Sequence, residues 1–245
     1  MVKLYDSITA TQNLLSWKKD ALYSFHRMMM DKRRKFPCIP AYQGYVLNHL
    51  RFGFVSDPRN SKAVVELVGL MKEYGRTSEE YGDYTALIII FETPENLKAF
   101  STHEFEEIFW QLLNQLSALD DSEWPEEISS DPSHHSWEYC FNKERYFFYC
   151  ATPAHKKRKS RYFPYFMLAI TPRWVLDKFN RSSIQSQKME NQIRKMLTVY
   201  DELSPHPDLK KYGEKDNYEW KQYFLRDDNT TITTCPFHTK KINKS

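Results

Sequence analysis

Apolar residues at Leu14, Leu15, Leu22, Phe25, Met28 and Met29 recur at helical spacing with Lys18, Lys19, Asp20 and Arg27 between them, which predicts an amphipathic helix over residues 11–32. The stretch KFPCIP should stop it, because Pro37 drives Phe36 away from helical backbone and Pro40 repeats the interruption. Residues 45–55, YVLNHLRFGFV, are apolar and β-prone and read as a strand. The helical period returns after Pro58 and Ser61 through Val64, Val65, Leu67, Val68 and Met71, and ends around Gly75. YTALIIIF at 84–91 has the length and β-branching of a buried central strand.

Thr93-Pro94 then caps a short helix, and Ser101 with Glu104 three residues later forms a capping box for the next. That helix places Phe105, Ile108, Phe109, Leu112, Leu113 and Leu116 on one face. Trp124-Pro125 and Asp131-Pro132 mark a loop, and SWEYCFNKERYFFYC reads as a β-hairpin turning near residues 142–144. A loop carries the chain to the strand YFMLAI, which ends at Thr171-Pro172, and residues 173–179 and 184–203 read as helices. From about Ser204 onward the chain is polar and irregular and is expected to drape over the rest. No internal repeat, linker or shift in composition divides it. The sum is a single α+β domain over residues 1–245, with about five strands in a mixed or antiparallel sheet packed with several helices.

Composition adds bounds. With 41% apolar residues in 245 the chain can bury a sizeable core, and 16 Phe, 16 Tyr and 6 Trp against 6 Gly fill space with rings and leave little room for glycine-based phosphate loops. The net charge of +3 is too small to imply nucleic-acid binding by itself. The N-terminal stretch shows no secretory signal, and the longest plain apolar run, residues 86–91, is far short of a membrane span, so a soluble cytoplasmic protein is expected. Cys38, Cys140, Cys150 and Cys235 are widely spaced with no Cys-x-x-Cys, which in a reducing compartment means free thiols and sets aside the usual zinc-finger and thioredoxin motifs. Composition does not fix assembly, and a homo-oligomer stays open.

Candidate chemistry is local. The run HKKRKSR, His155 to Arg161, offers a patch for a phosphate, a nucleic acid or haem propionates, against the plainer account of a solvated loop. Arg161 stands out because it sits beside apolar residues, where a charge needs a partner. His134 and His135 are adjacent, so on a strand at most one faces a given pocket, and solvent exposure is the plainer account. His26 and His49, the latter within the expected strand, read as structural, whereas His206 lies between two prolines that present it rigidly. Cys38 lies between Pro37 and Pro40, which stiffen its backbone, and the preceding DKRRK would lower its pKa if folded nearby; the alternative is an inert buried thiol. Cys235-Pro236-Phe237-His238 places two metal-binding side chains in one tetrapeptide.

The segments RKFPCIPAYQGYVLNHLRFGF, EYCFNKERYFFYCATP with SRYFPYFMLAI, and SPHPDLKKYGE with TTCPFH occur in an order that resembles the YqcI/YcgG family, from about Trp17 to His238. The resemblance implies a haem-dependent N-hydroxylase. Such an enzyme takes dioxygen and an electron donor and hydroxylates a guanidine or amine nitrogen of a small basic metabolite. It also implies that Phe36-Pro37-Cys38, Arg51-Phe52, Arg161, Phe163-Pro164 and Cys235-Pro236-Phe237 carry the family pattern, with Cys38, Arg51, Arg161 and Cys235 at the cofactor and the two arginines suited to propionates. For the iron ligand it leaves His155, His238 and Cys235. Where many members have His-Pro, this chain has Thr152-Pro153, with His155 nearby. Cys235-Pro236-Phe237 is left as either an iron contact or a dock for the tail in an aromatic groove. Two other classes stay beside the enzyme: a non-catalytic haem-binding or sensing protein, and a nucleic-acid module using the 155–161 run.

Overall fold

The computed structural model describes residues 3–7, 14–180, 183–210 and 214–238; Thr11 to Asn13, at the head of the expected first helix, lie outside the described residues. The strands β1 (Arg51–Val55), β2 (Leu87–Phe91), β3 (Tyr139–Phe141), β4 (Glu144–Ala151) and β5 (Met167–Pro172) form one mixed sheet in the order β1-β2-β5-β4-β3. β1 and β2 run parallel, and the other neighbours are antiparallel. Every residue of β2 is buried. Leu87, Ile89 and Phe91 enter the larger core cluster on one face, and Ile88 and Ile90 the smaller cluster on the other, as alternation on a strand covered on both sides requires.

The larger cluster lies under α3 (Ser61–Thr77) and α5 (Thr102–Ala118), and the smaller under α1 (Ser16–Met30), which buries Ala21, Phe25 and Met29. The expected capping box of α5 is present, with the Ser101 hydroxyl accepting from the Glu104 N–H and the Glu104 carboxylate accepting from the Ser101 N–H at 2.7 Å. The short helix after Thr93-Pro94 forms as well, as α4 (Glu95–Lys98), but the Thr93 hydroxyl donates to the Phe91 carbonyl and accepts from the Phe166 N–H, so it ties β2 to the loop before β5 and caps nothing. The hairpin turns at Asn142 and Lys143 with φ of 52° and 65°, the left-handed pair that matches strand twist in a two-residue turn.

The strand expected over residues 45–55 begins only at Arg51, and its first two residues close a helix. Ile39–Val46 forms α2, because Pro40 falls in its first turn, where a missing N–H breaks no helical bond. The chain leaves α2 through Asn48 at φ 57°, so β1 begins only at Arg51 and His49 lies in the connection, its ring stacked on Tyr84. Gly82 (φ 107°) lies under that ring, and a Cβ there would stand 2.5 Å from the His49 Cε1 and Nε2 atoms. Gly82→Ala is therefore expected to destabilise the fold by about 1–3 kcal/mol, read as a lower urea midpoint with an unchanged slope.

The helices after β5 are α6 (Arg173–Asn180) and α7 (Ser183–Asp201). The segment after Ser204 is more than a drape. It contains α8 (Trp220–Tyr223), and Trp220, Tyr223, Phe224, Cys235 and Phe237 are members of the larger core cluster. Ring residues spaced among polar ones on an irregular backbone give no periodic signal, which hid this contribution.

Candidate functional site

The basic run turns inward. Arg158 is 1% exposed and donates to the carbonyls of Arg226, Ser204 and Asp228 and to the Asn229 side chain. The Asp227 carboxylate accepts the backbone N–H groups of Lys156, Lys157 and Arg158, and these bonds hold its pKa below the usual range despite burial. Lys159 pairs with Glu202 at 2.6 Å. The solvated-loop account is corrected accordingly: in this run only Lys156 and Lys157 are fully exposed cations, and the loop staples residues 226–229 of the tail.

Arg161 is buried with its guanidinium face 4.2 Å from the Tyr149 ring centre. It donates to the Tyr223 and Gln222 carbonyls at 3.0 Å and to the Cys150 carbonyl at 3.3 Å, so it satisfies the end of α8 and ties it to β4. His155 is buried too. Its Nδ1 lies 2.8 Å from the Thr152 hydroxyl and its Nε2 2.8 Å from the Leu225 carbonyl. The Leu225 carbonyl can only accept, so Nε2 carries the proton; in the neutral ring Nδ1 is then the acceptor, and the Thr152 hydroxyl donates to it while accepting from the Ala154 N–H. Burial pushes the ring pKa down to about 4, and the imidazole is neutral near pH 7.

Of the six residues named for haem, Cys38 and His155 each lie within electrostatic reach of Arg161, while Arg51, Cys235 and His238 take other partners. Cys38 packs against the smaller core cluster and Cys235 belongs to the larger one, so the sheet stands between them. Arg51, on the edge strand, donates to the Asn48 and Leu50 carbonyls and stacks on Tyr81 at 3.8 Å. Burial raises the Cys38 thiol pKa and lifts that of Cys235 to about 12, which keeps both protonated. His238 is exposed, and its backbone N–H donates to the Asn114 Oδ1. Among the described residues no three His, Cys, Asp or Glu side chains gather as a metal-ligand set. Both His155 nitrogens are engaged within the fold, and no residue is assigned to iron.

Side chains that sequence reasoning missed gather under the tail. Trp110 of α5 lies against Trp220 and Tyr223 of α8, and Trp137, just before β3, lies against Tyr223 and Phe237 with ring centres 6.3 and 5.3 Å apart. Beside this aromatic cluster Arg173 is fully buried between two carboxylates. It donates to Glu138 at 2.9 Å and also to Glu219, while Glu219 accepts from the Tyr223 hydroxyl at 2.8 Å. Burial works against the Arg173 charge, but Glu219 and Glu138 outweigh it and raise its pKa. Arg145 stands 3.6 Å from Glu138, so two cations face two anions. Glu138 did leave a trace in the sequence, as a carboxylate between Trp137 and Tyr139 where the alternation is otherwise aromatic; Arg173 left none.

Two clefts flank the tail over this cluster. One, of about 350 Å³, is lined by Trp220, Lys221, Thr233, Thr234 and Cys235 among others. The other, of about 290 Å³, is lined by Glu106, Glu107, Trp110, Asn114, Ile232 and Pro236 together with His103, Gln111 and Arg226. In the second, Glu106 is taken up by Arg226 at 2.7 Å, while Glu107 is exposed at the rim.

The chain is 47% identical to the uncharacterized protein YqcI of Bacillus subtilis strain 168, covering 98% of this chain and 96% of that one. It is 45% identical to the uncharacterized protein YcgG of the same strain, covering 92% and 90%. A Streptomyces lavendulae protein provisionally named N(omega)-hydroxy-L-arginine synthase DcsA is 26% identical, covering 92% of this chain and 85% of that one. No solved structure matches. The YqcI/YcgG sequence profile matches residues 25–238, nearly the whole of the fold described above, and the chain belongs to the YqcI/YcgG family.

Proposed function

We propose that this protein hydroxylates a nitrogen of a small basic metabolite, a guanidine or an amine, with dioxygen as oxidant. The observation that carries this is the similarity over 92% of the chain to DcsA, whose name describes the formation of an N-hydroxylated arginine. In the reaction an N–H becomes N–O–H, the second oxygen atom leaves as water, and a separate donor supplies two electrons and two protons. Haem is the oxygen-activating cofactor this reading takes from the family resemblance. No residue is assigned to iron, and no step is routed through it.

The second cleft offers what a cationic substrate needs. Glu107 supplies an exposed carboxylate at the rim, the charge that a guanidinium or ammonium group requires. The nucleic-acid alternative rests on few outward cations, since Arg158 and Arg161 are consumed inside the fold. All four cysteines are free, which fits a reducing, cytoplasmic setting, and no helix among the described residues is long and apolar enough to cross a membrane.

The test is turnover of the full chain, supplied with haemin and a reductant, on guanidine- and amine-bearing metabolites under isotopically labelled dioxygen. One labelled oxygen atom is expected on the substrate nitrogen. Glu107→Gln should raise KM about tenfold and leave kcat within about twofold, since it removes binding shared by ground and transition states. A haem absorption band without any oxygenated product would instead support a non-catalytic haem-binding or sensing protein. A colourless protein that refuses haemin and turns nothing over would overturn the proposal.

A further inference from the structure

We infer that a third cleft, between the end of α1, the start of α2 and α7, binds an aliphatic chain that carries an anionic head group. The cleft lies on the α1 side of the sheet, and the inference does not depend on the nitrogen chemistry.

The lining selects the chain. The cleft holds about 160 Å³. Met29 and Phe36, 4% and 6% exposed, form its floor, and Met30, Ile39, Tyr42 and Met196 form its walls. Three thioethers in one small lining make a surface that reshapes around an unbranched chain. At about 30 Å³ for each water-sized unit, the cleft takes roughly five such units and so a chain of about as many methylenes.

Apolar surface continues past the mouth. Met30 is 39% exposed at the end of α1, Tyr42 is 38% exposed, and Val46, one turn further along α2, is 53% exposed. A chain longer than the cleft can therefore run out over Tyr42 and Val46 and cover apolar area that otherwise faces water.

The charges at the mouth select the head. Lys32 and Lys35 line the cleft, both are exposed, and neither has an ion-pair partner among the described residues. Asp31 is the one carboxylate of the lining, and its Oδ1 accepts the N–H groups of Arg33 and Arg34 at 2.8 and 3.1 Å, so it fastens the turn that presents the two lysines. Residues 27–35 carry Arg27, Lys32, Arg33, Arg34 and Lys35 against Asp31 alone, in a chain whose net charge is only +3. That local excess places a positive field over the cleft. An anionic head at Lys32 and Lys35, with its chain among the thioethers, satisfies both halves of the lining at once.

The probe is dodecanoate, titrated calorimetrically into the full chain below its micelle concentration, with dodecyltrimethylammonium as a cationic analogue of equal chain length. Dodecanoate is expected to bind at a stoichiometry of about one and roughly tenfold more tightly than the ammonium. Lys32→Ala combined with Lys35→Ala should weaken it about tenfold, and Met30→Glu, which sets a carboxylate on an exposed wall, should weaken it at least as much. Lys62→Ala combined with Lys72→Ala removes the same charge from α3, across the sheet, and should leave affinity within about twofold of the parent. Sedimentation with vesicles separates two sources of the same chemistry. Binding to phosphatidylglycerol vesicles but not to phosphatidylcholine vesicles assigns a lipid, and binding of dodecanoate alone assigns a free fatty carboxylate; either outcome supports the site. The inference is overturned if dodecanoate does not bind, if the ammonium binds as tightly, or if the variant lacking Lys32 and Lys35 binds as the parent does.

Discussion

Replacing Arg173 with methionine is expected to cost about 3–5 kcal/mol, because it leaves Glu138 and Glu219 buried without their common partner. Against a total of about 5–15 kcal/mol for a globular domain, that loss brings the chain close to unfolding at room temperature. Arg173→Lys should recover only a part, since one ammonium lacks the fork that reaches two carboxylates in different directions. Arg173→Met combined with Glu138→Gln and Glu219→Gln should be more stable than Arg173→Met alone, because the anions left uncompensated are then neutral. Urea unfolding of the three variants measures this. A loss under about 1 kcal/mol for Arg173→Met would mean that water reaches the two carboxylates and that the cluster does not organise the core.

The position of this cluster explains why part of the molecule was legible in the sequence and part was not. Strands β2 and β5, the capping box at Ser101 and Glu104, and the turn at Asn142 and Lys143 could be located because each is set by neighbours within a few residues. The error at residues 45–55 has the same origin. Apolar β-prone content was visible there, but Pro40 at a helix start and the left-handed Asn48 decide the backbone, and they divide the segment into α2 and β1. Arg161 stood out as a charge beside apolar residues needing a partner, and its partners among the described residues are main-chain carbonyls and a tyrosine ring. What could not be read is the meeting of α5, the β3 region and the tail. Trp110, Trp137 and Phe237 are far apart in sequence, and an aromatic residue destined for this cluster has no local mark that separates it from one destined for the rest of the core. In Cys235-Pro236-Phe237-His238, Phe237 docks among Trp124, Trp137 and Tyr139, a contact between residues far apart in sequence that the tetrapeptide alone does not announce.

The same anchoring of the tail makes stability depend on pH through His155. Its folded pKa of about 4 lies below the ordinary value of 6.5, chiefly because burial disfavours the charged ring, with Arg161 and Arg158 adding to the effect while the bond to the Leu225 carbonyl and the nearby Asp227 oppose it. Above pH 6.5 the ring is neutral in both folded and unfolded chains, and the full stability is present. As pH falls from 6.5 to 4 the unfolded chain takes up a proton that the folded chain refuses, so stability declines by about 3 kcal/mol from this group and levels off below pH 4. Asp227 continues the trend, because its depressed pKa gives stability that is present above 3.8 and lost as pH falls through the folded value. Glu106 and Asp201, raised by burial, act in the opposite sense, since each binds its proton in the folded chain before the unfolded one. The contribution of His155 is therefore read as a difference between two proteins. His155→Gln keeps a side-chain N–H for the Leu225 carbonyl and carries no titrating group, so it should start less stable at pH 7 and show a flatter slope between pH 6.5 and 4. Parallel curves for the two proteins across that interval would show that His155 is protonated as readily in the folded chain as in the unfolded one. In that case the bonds to Thr152 and Leu225 could not be those of a neutral ring holding the tail in place.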